Sequence, residues 1–90
     1  MIRIMTATGP RLITITVDGQ LSGEYVDLVE TCAMQVIAQR QPAELYLRDV
    51  STIDERGRAL LAVLAAKGVR LRAAGVYCSY IVAKINQSAA

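Results

Sequence analysis

The sequence predicts a two-layer α/β fold, with a mostly parallel four-stranded sheet, an antiparallel strand pair at its N-terminal side, and helices mainly on one face. First, runs with the two-residue period of a strand alternate with runs of helical period, in the order β-β-α-β-α-β-α. Second, helices separate the later strands, and such connections form right-handed crossovers between parallel strands. Third, the later strands alternate apolar with polar residues, so we expect one face of the sheet to carry no helical layer.

The first half of the chain predicts two strands and a helix, over residues 2–6, 12–17 and 24–40. Gly9-Pro10 marks the turn between the strands. The helix is expected because apolar residues recur at helical spacing, with Ser22 as its cap and Arg40 closing its last turn. Its predicted core face consists of Leu28, Val29, Cys32, Val36 and Ile37.

The second half predicts strand, helix, strand and helix, over residues 44–48, 55–67, 69–73 and 76–85. Residues 49–52 are expected to form a connection. Gly68 is expected to end the preceding helix, because glycine readily adopts the left-handed conformation of a helix C-terminus. Residues 86–90 are expected to be a frayed tail. Residues 1–90 make a single domain, because a chain of this size hides only about two thirds of its unfolded surface.

Composition indicates a compact aliphatic domain. Hydrophobic residues make up 53% of the chain and charged residues 20%, which excludes disorder, and neither Trp nor Phe occurs. The formal net charge is +2, and the basic residues form no stripe interleaved with aromatic residues, so no nucleic-acid surface is predicted. No apolar run approaches the roughly 20 residues of a membrane span. We therefore expect a soluble protein without direct membrane insertion.

The two cysteines predict a location for the protein. Cys32 and Cys78 lie in apolar runs of helical character, and the first residues alternate like a strand, not like a secretory signal. A disulfide between them is the alternative, but free core thiols in a reducing compartment are favoured. The expected location is the cytoplasm.

The chain carries no recognisable catalytic motif, although Ser, Thr and carboxylates are present. The chain has no histidine, which excludes His-based triads and His metal sites, and two distant cysteines do not make a zinc site. The GxSxG and GxxxxGK[ST] motifs do not occur. The adjacent acids Asp54 and Glu55 suggest an acid/base couple, but helix capping and dipole compensation explain them better. We expect no catalytic residue, no metal site and no cofactor, and therefore no enzyme.

The helix over 55–67 is the most informative element. Asp54 precedes it, and its carboxylate is suited to accept the free backbone N–H groups of the first turn. The predicted core face consists of Leu60, Leu61 and Leu64. A second stripe consists of Ala59, Ala62, Val63 and Ala66. This stripe is either covered by a neighbouring helix or available to a partner, and burial is the favoured interpretation.

These elements resemble a STAS domain, the fold shared by anti-sigma-factor antagonists and the cytoplasmic tails of sulfate transporters. The resemblance covers nearly the whole chain, from the second strand to the third helix. Its core is the sequence LRDVSTIDERGRALL over residues 47–61, where an apolar strand leads through Asp54 and Gly57 into a Leu-rich helix. Similar to the family as well are GVRL at 68–71, GV at 75–76, and GQLS at 19–22, where the family has Gly-Glu-Leu-Asp.

The resemblance implies a switch that this chain has lost. In antagonist members, the residue just before the helix glycine is a serine or threonine that an anti-sigma kinase phosphorylates, and here that residue is Arg56. Two acidic positions of the family correspond to Ser22 and Tyr46, whereas Asp54 is retained. Glu55 lies one position too early for a phosphate mimic, so we expect an ordinary first-turn acid. No phosphorylation is therefore expected at the position before the helix glycine.

The resemblance implies a non-catalytic protein-interaction module of the anti-sigma-factor-antagonist type. Its partner would be an anti-sigma factor or a GHKL-type kinase, in partner switching and transcription regulation. The expected partner-binding residues are Ser22, Asp54, Glu55, Arg56, Gly57, Arg58, Ala59 and Val63. The candidate modification sites are Ser51 and Thr52.

Two alternatives remain open from the sequence. One is a small accessory subunit of an ABC-type lipid transporter, which would bind an ATPase subunit through the same helix. The other is a regulatory domain that binds a nucleotide at the Asp54 helix start, assisted by Arg56 and Arg58.

The resemblance also implies an open sheet edge. Many members of the family continue after the third helix into a further strand and helix, whereas this sequence ends at residue 90. An edge left unpaired would be filled by a partner or a second copy, so a homodimer is a further prediction.

Overall fold

The computed structural model describes residues 1–89, with side chains described through Gln87. The elements within these residues follow the predicted order β-β-α-β-α-β-α, which confirms the fold class. They are β1 (Ile2–Thr8), β2 (Ile13–Leu21), α1 (Tyr25–Ala38), β3 (Ala43–Ile53), α2 (Glu55–Ala66), β4 (Arg70–Ala73) and α3 (Val76–Ala89).

The strands form one sheet in the order β1-β2-β3-β4. β1 and β2 pair antiparallel, with Ile4 opposite Val17, whereas β2, β3 and β4 run parallel. The parallel strands are joined through α1 and α2, as crossover connections require. Buried residues such as Leu45 alternate along the strands with more exposed ones such as Tyr46. The helices cover one face of the sheet, as predicted.

The uncovered face of the sheet is polar, and its charged groups pair with one another. Arg72 lies over the Tyr46 ring, 4.0 Å from its centroid, and forms an ion pair of 2.9 Å with Glu44, which is buried. Arg48 donates two hydrogen bonds to the carboxylate of Asp18. This pairing lowers the pKa of Asp18 below its ordinary value.

β3 is longer than predicted, because residues 49–52 continue the strand instead of forming a connection. They pair with the end of β2 through two shifts in register that flank Asp18-Gly19. The shifts break the two-residue alternation, so the buried positions Val50 and Ile53 are three residues apart. The prediction of a connection was wrong because an irregular register hides the period of the strand.

α1 begins and faces the core differently from the prediction. Its N-cap position is Glu24, which makes no side-chain capping bond, so Ser22 is not the cap. Arg40 lies beyond the helix end, with a left-handed φ of 60°. The buried stripe consists of Val26, Val29, Ala33 and Val36. Leu28 lies on a different flank of the helix, outside this stripe, and is 52% exposed.

α2 ends where the sequence predicts. Gly68 has a left-handed φ of 92°, and its N–H donates to the Ala65 carbonyl at 3.0 Å, which closes the helix. α3 continues to Ala89, beyond the predicted helix end at residue 85. The last residue of the predicted frayed tail lies outside the described residues.

The core is aliphatic and lies between the sheet and the helices. Its largest fully buried side chains are Ile13, Ile15, Leu21, Leu45, Leu47, Leu61, Leu64, Val17 and Val29. Both cysteines are free, as predicted, with Cys78 buried and Cys32 half-buried. Burial raises the pKa of the Cys78 thiol, which donates to the Val50 carbonyl at 3.2 Å. Within residues 1–89, no helix combines the length and the hydropathy that crossing a bilayer requires.

Candidate functional site

Asp54 is the centre of the candidate site, between the end of β3 and the start of α2. Its Oδ1 accepts the Gly57 N–H at 2.8 Å, which caps α2 as predicted. Its Oδ2 accepts the Gly23 N–H at 2.9 Å, which fastens the loop between β2 and α1. These two backbone donors, Gly23 first, lower the pKa of Asp54 below its ordinary value. One carboxylate therefore joins the start of α2 to the loop before α1.

Gly57 lets α2 approach the sheet more closely than any other residue would. It is buried, and a Cβ at this position would lie 2.5 Å from the Leu21 carbonyl oxygen and 3.0 Å from Cγ2 of Ile53. The nearest obstacle is backbone, which cannot rotate away as a side chain can. The glycine of the motif is therefore required by packing between α2 and the ends of β2 and β3.

Arg56 crosses from α2 to the start of α1. Its Nη2 lies 2.8 Å from Oδ1 of Asp27, and its Nη1 donates to the Gly23 carbonyl at 3.3 Å. Both side chains of the ion pair are about 60% exposed, so the pair contributes little to stability. Its effect is positional, because it holds the guanidinium over the loop. We call the turn 54–57, the facing loop 22–23 and Asp27 the corner site.

Tyr77 supports the corner site from α3. Its hydroxyl accepts the Ile53 N–H at 3.0 Å and lies 3.4 Å from the Ile53 carbonyl oxygen. β4 ends at Ala73, and its register with β3 ends at Leu47, so the phenol takes the place of a neighbouring strand there. The residue before Asp54 is thereby held by a side chain from a third element.

A shallow groove lies beside the corner site, between α1 and α2. Its volume is about 220 Å³, with Val26 and Leu60 among its apolar lining and Asp27, Glu30 and Arg56 as its charged residues. Its remaining lining residues are Ala59 and Val63. The groove therefore combines an apolar surface with charges of both signs.

The second stripe of α2 is exposed, so the favoured expectation of burial was wrong. Its four residues are Ala59, Ala62, Val63 and Ala66, and Val63 is 44% exposed. The reason is the layer geometry: α2 packs between α1 and α3 on one side of the sheet, and nothing in residues 1–89 lies above it. The predicted core face of Leu60, Leu61 and Leu64 is confirmed.

The structure places the other predicted residues around the corner site. Ser22 is half-buried, and its backbone carbonyl accepts the Tyr25 N–H at 3.1 Å. Glu55 is exposed in the first turn of α2. Ser51 and Thr52 are exposed near the end of β3. They are accessible, but they lie before the turn.

Arg58 is separated from the rest of the site. It lies on the flank of α2 that faces α3, beside Tyr80 and Lys84, whereas Arg56 reaches across the opposite flank to α1. The two arginines therefore do not converge on one ligand. Among the described residues, Cys, Asp and Glu side chains form no group of three that would hold a metal ion.

Three contributors to the corner site were missed by sequence reasoning: Gly23, Asp27 and Tyr77. In the sequence, Asp27 stands out only as an acid in the first turn of a helix. The helix dipole alone explains that pattern, so it does not indicate a site residue. Its partner Arg56 is 29 positions away, and only the fold brings the two together.

Comparison with known proteins identifies the fold. No protein-family model and no curated protein matches the sequence. The crystal structure of an anti-sigma factor antagonist from Mycobacterium paratuberculosis is similar, with a TM-score of 0.83 and 16% identity over 98% of this chain and 82% of that one. The crystal structure of Mglu has a TM-score of 0.62 and 21% identity, over 80% of this chain and 19% of that one.

At these identities the similarity is one of fold. The anti-sigma factor antagonist shares nearly the full length of the chain, whereas the similar region makes up about a fifth of Mglu. The sheet order, the mixed strand directions and the single helical layer agree with the fold that the sequence motifs predicted. The chain therefore has the fold of a STAS domain, like that of the solved anti-sigma factor antagonist.

Proposed function

We propose that this chain is a non-catalytic interaction module, which binds a protein partner through the corner site and the adjoining groove. The observation that carries the proposal is that the polar groups of the corner site bond to the protein's own backbone and side chains. Both oxygens of Asp54 accept backbone N–H groups, and Arg56 is engaged with Asp27 and the loop. These groups hold the backbone in place, and an exposed apolar stripe on α2 lies beside them. Such an arrangement suits the docking of a partner better than catalysis.

The module works without a phosphate switch at the turn. The side chain before Gly57 is a guanidinium, which has no hydroxyl to accept a phosphoryl group. Arg56 is moreover held toward the loop by Asp27. The exposed hydroxyls of Ser51 and Thr52 remain candidate modification sites, and Ser22 is a further one in the facing loop.

The proposed partner is an anti-sigma factor, including one with a GHKL-type kinase fold, in the cytoplasm. The similarity to a solved anti-sigma factor antagonist supports this class of partner. The chain would then act in transcription regulation by occupying that partner. An ATPase subunit of a lipid transporter is the competing partner, and it would use the same face of α2. Nucleotide binding is not favoured, because Arg56 and Arg58 lie on opposite flanks of the helix.

A pair of matched variants tests the docking face by isothermal titration calorimetry with a purified cognate anti-sigma factor. Val63→Lys places a charge in the groove, and Val76→Lys places the same charge at the start of α3, where the valine is 89% exposed. We expect Val63→Lys to weaken binding about tenfold or more, because a long charged side chain would occupy the apolar part of the groove and would have to be desolvated in the interface. We expect Val76→Lys to bind like the wild type.

Two results would overturn this proposal. One is equal affinity of Val63→Lys and wild type for the anti-sigma factor. The other is tight binding of a transporter ATPase subunit under conditions where no anti-sigma factor binds, which would support the accessory-subunit alternative instead.

A further inference from the structure

The two edges of the sheet differ in how they are protected against pairing. β4 has four residues, and two of them are the exposed arginines Arg70 and Arg72. β1 has seven residues, of which Arg3 alone is charged, and it contains no proline. Its pairing with β2 runs from Ile2 to Thr8 without a shift in register. Short length, charge, proline and bulges are the usual protections of an edge, and β1 has little of any of them.

The outer side of β1 is free within the described residues. One side of the strand bonds to β2, and no other strand of residues 1–89 lies on the opposite side. A regular row of backbone N–H and C=O groups therefore faces outward. Such a row is a template for a further strand.

An apolar strip runs along the same edge on the helical side. Ile2 and Ile4 are only half-buried, so the helical layer covers β1 incompletely. Sγ of Cys32 lies 3.6 Å from Oγ1 of Thr6, which places that flank of α1 directly above the strand. Leu28 lies one turn earlier on this flank. It was predicted to be in the core but is 52% exposed.

We propose that two copies of this chain pair through β1, antiparallel about a two-fold axis at Met5, to form one continuous eight-stranded sheet. An antiparallel strand pair is self-complementary, so the same edge serves both copies. The register centred on Met5 pairs every residue of β1, and it sets Arg3 opposite Ala7 of the second copy. The two arginines therefore do not meet, and Ile4 lies opposite Thr6.

This pairing also covers the apolar strip. The two-fold axis is perpendicular to the sheet, so both helical layers lie on the same face. The flanks of α1 that carry Leu28 and Cys32 then face each other across the junction. The two corner sites lie at the far end of β2 in each copy, away from the axis. The dimer would therefore present two docking sites, at opposite ends of the joined sheet.

The oligomeric state tests the proposal. We expect the mass from sedimentation velocity to rise from monomer to dimer across the micromolar range. Met5→Lys places two like charges opposite each other at the axis and should raise the dimer dissociation constant about tenfold or more. Met5 is 39% exposed on the uncovered face of the sheet, so the fold should tolerate the change. Val76→Lys carries the same charge on α3 and should dimerise like the wild type.

A cross-linking experiment tests the register independently of stability. In a Cys32→Ser background with an added oxidant, Met5→Cys should form a disulfide between copies, because opposed Cα atoms about 4.5–5.5 Å apart suit that bond. Arg3→Cys should not, because its copies would lie about 13 Å apart along the strands. A monomer at every concentration, unchanged dimerisation of Met5→Lys, or cross-linking at position 3 in place of 5 would overturn the proposal.

Discussion

Asp54 performs two structural tasks with a single carboxylate, and its charge is part of both. One oxygen caps α2 and the other accepts the Gly23 N–H, so both oxygens are engaged with the backbone. Its aspartate identity follows from this geometry, because an asparagine offers only one acceptor oxygen. The residue is therefore better explained by the architecture of the corner site than by acid/base chemistry.

The lowered pKa of Asp54 predicts a loss of stability in acid. Its ordinary value is 3.8, and its folded value is lower, so the ionised form contributes stability above pH 3.8 that is lost as the pH falls through the folded pKa. Asp54→Asn removes this contribution. We expect the variant to be less stable than wild type at neutral pH and the gap to narrow in acid, as measured by urea unfolding. A gap that widens in acid would contradict this assignment.

In the proposed function, the absence of a phosphate switch at the turn depends on one residue, so a single substitution should restore the switch. Arg56→Ser restores a hydroxyl just before Gly57, at the N-terminus of α2, where a phosphate is electrostatically favoured. We expect an anti-sigma kinase with ATP to phosphorylate the new hydroxyl of this variant and no residue of the wild-type turn 54–57, as located by peptide mass spectrometry. Arg58→Ser is the control and should take no phosphate. Phosphate on the wild-type turn would contradict the proposed function.

At the scale of elements, the close approach of α2 to the sheet depends on Gly57. Gly57→Ala gains about 1 kcal/mol of helix propensity, but its Cβ would lie 2.5 Å from the Leu21 carbonyl oxygen. Overpacking of this kind costs about 1–3 kcal/mol, and we expect about 2–3 kcal/mol here because the obstacle is backbone, which leaves a net loss of about 1–2 kcal/mol in urea unfolding. Ala62→Gly, on the exposed stripe, should cost about 1 kcal/mol through helix propensity alone. Unchanged or increased stability of Gly57→Ala would contradict this prediction and would show that the ends of β2 and β3 can move to accommodate the Cβ.

The elements differ in how far their sequences predicted them. The bounds and the core face of α2 could be predicted locally, because its cap Asp54, its buried leucines and its terminating Gly68 all lie in or next to one helix. β3 did not, since its last residues pair with β2 through shifts in register that no local pattern records. α1 was placed correctly but rotated wrongly, because Leu28 and Val26 suit a buried stripe equally well by hydropathy. Only contact with the sheet decides between them.

At the scale of the whole molecule, the strand directions and the single helical layer followed from the alternation of periods along the chain. The two local parts of the corner site, the cap and the glycine, were also predicted. The long-range parts were not: Asp27 and Tyr77 join it from α1 and α3, across 24 to 29 positions. A pattern within one element carries no information about partners that only the tertiary fold supplies.

The fastening of the corner site by Asp54, Arg56 and Tyr77 has a kinetic consequence. The loop and the turn are joined to α1, α2 and α3 in the free chain, so under the proposed function association with a partner should not wait for a segment to order. We expect a single-phase association at roughly 10⁵–10⁷ M⁻¹s⁻¹, as for rigid-body docking, by stopped-flow measurement. Asp54→Asn should add a slower phase, because it releases the loop at Gly23. Differences in affinity between partners would then be expressed mainly in how long each complex lasts.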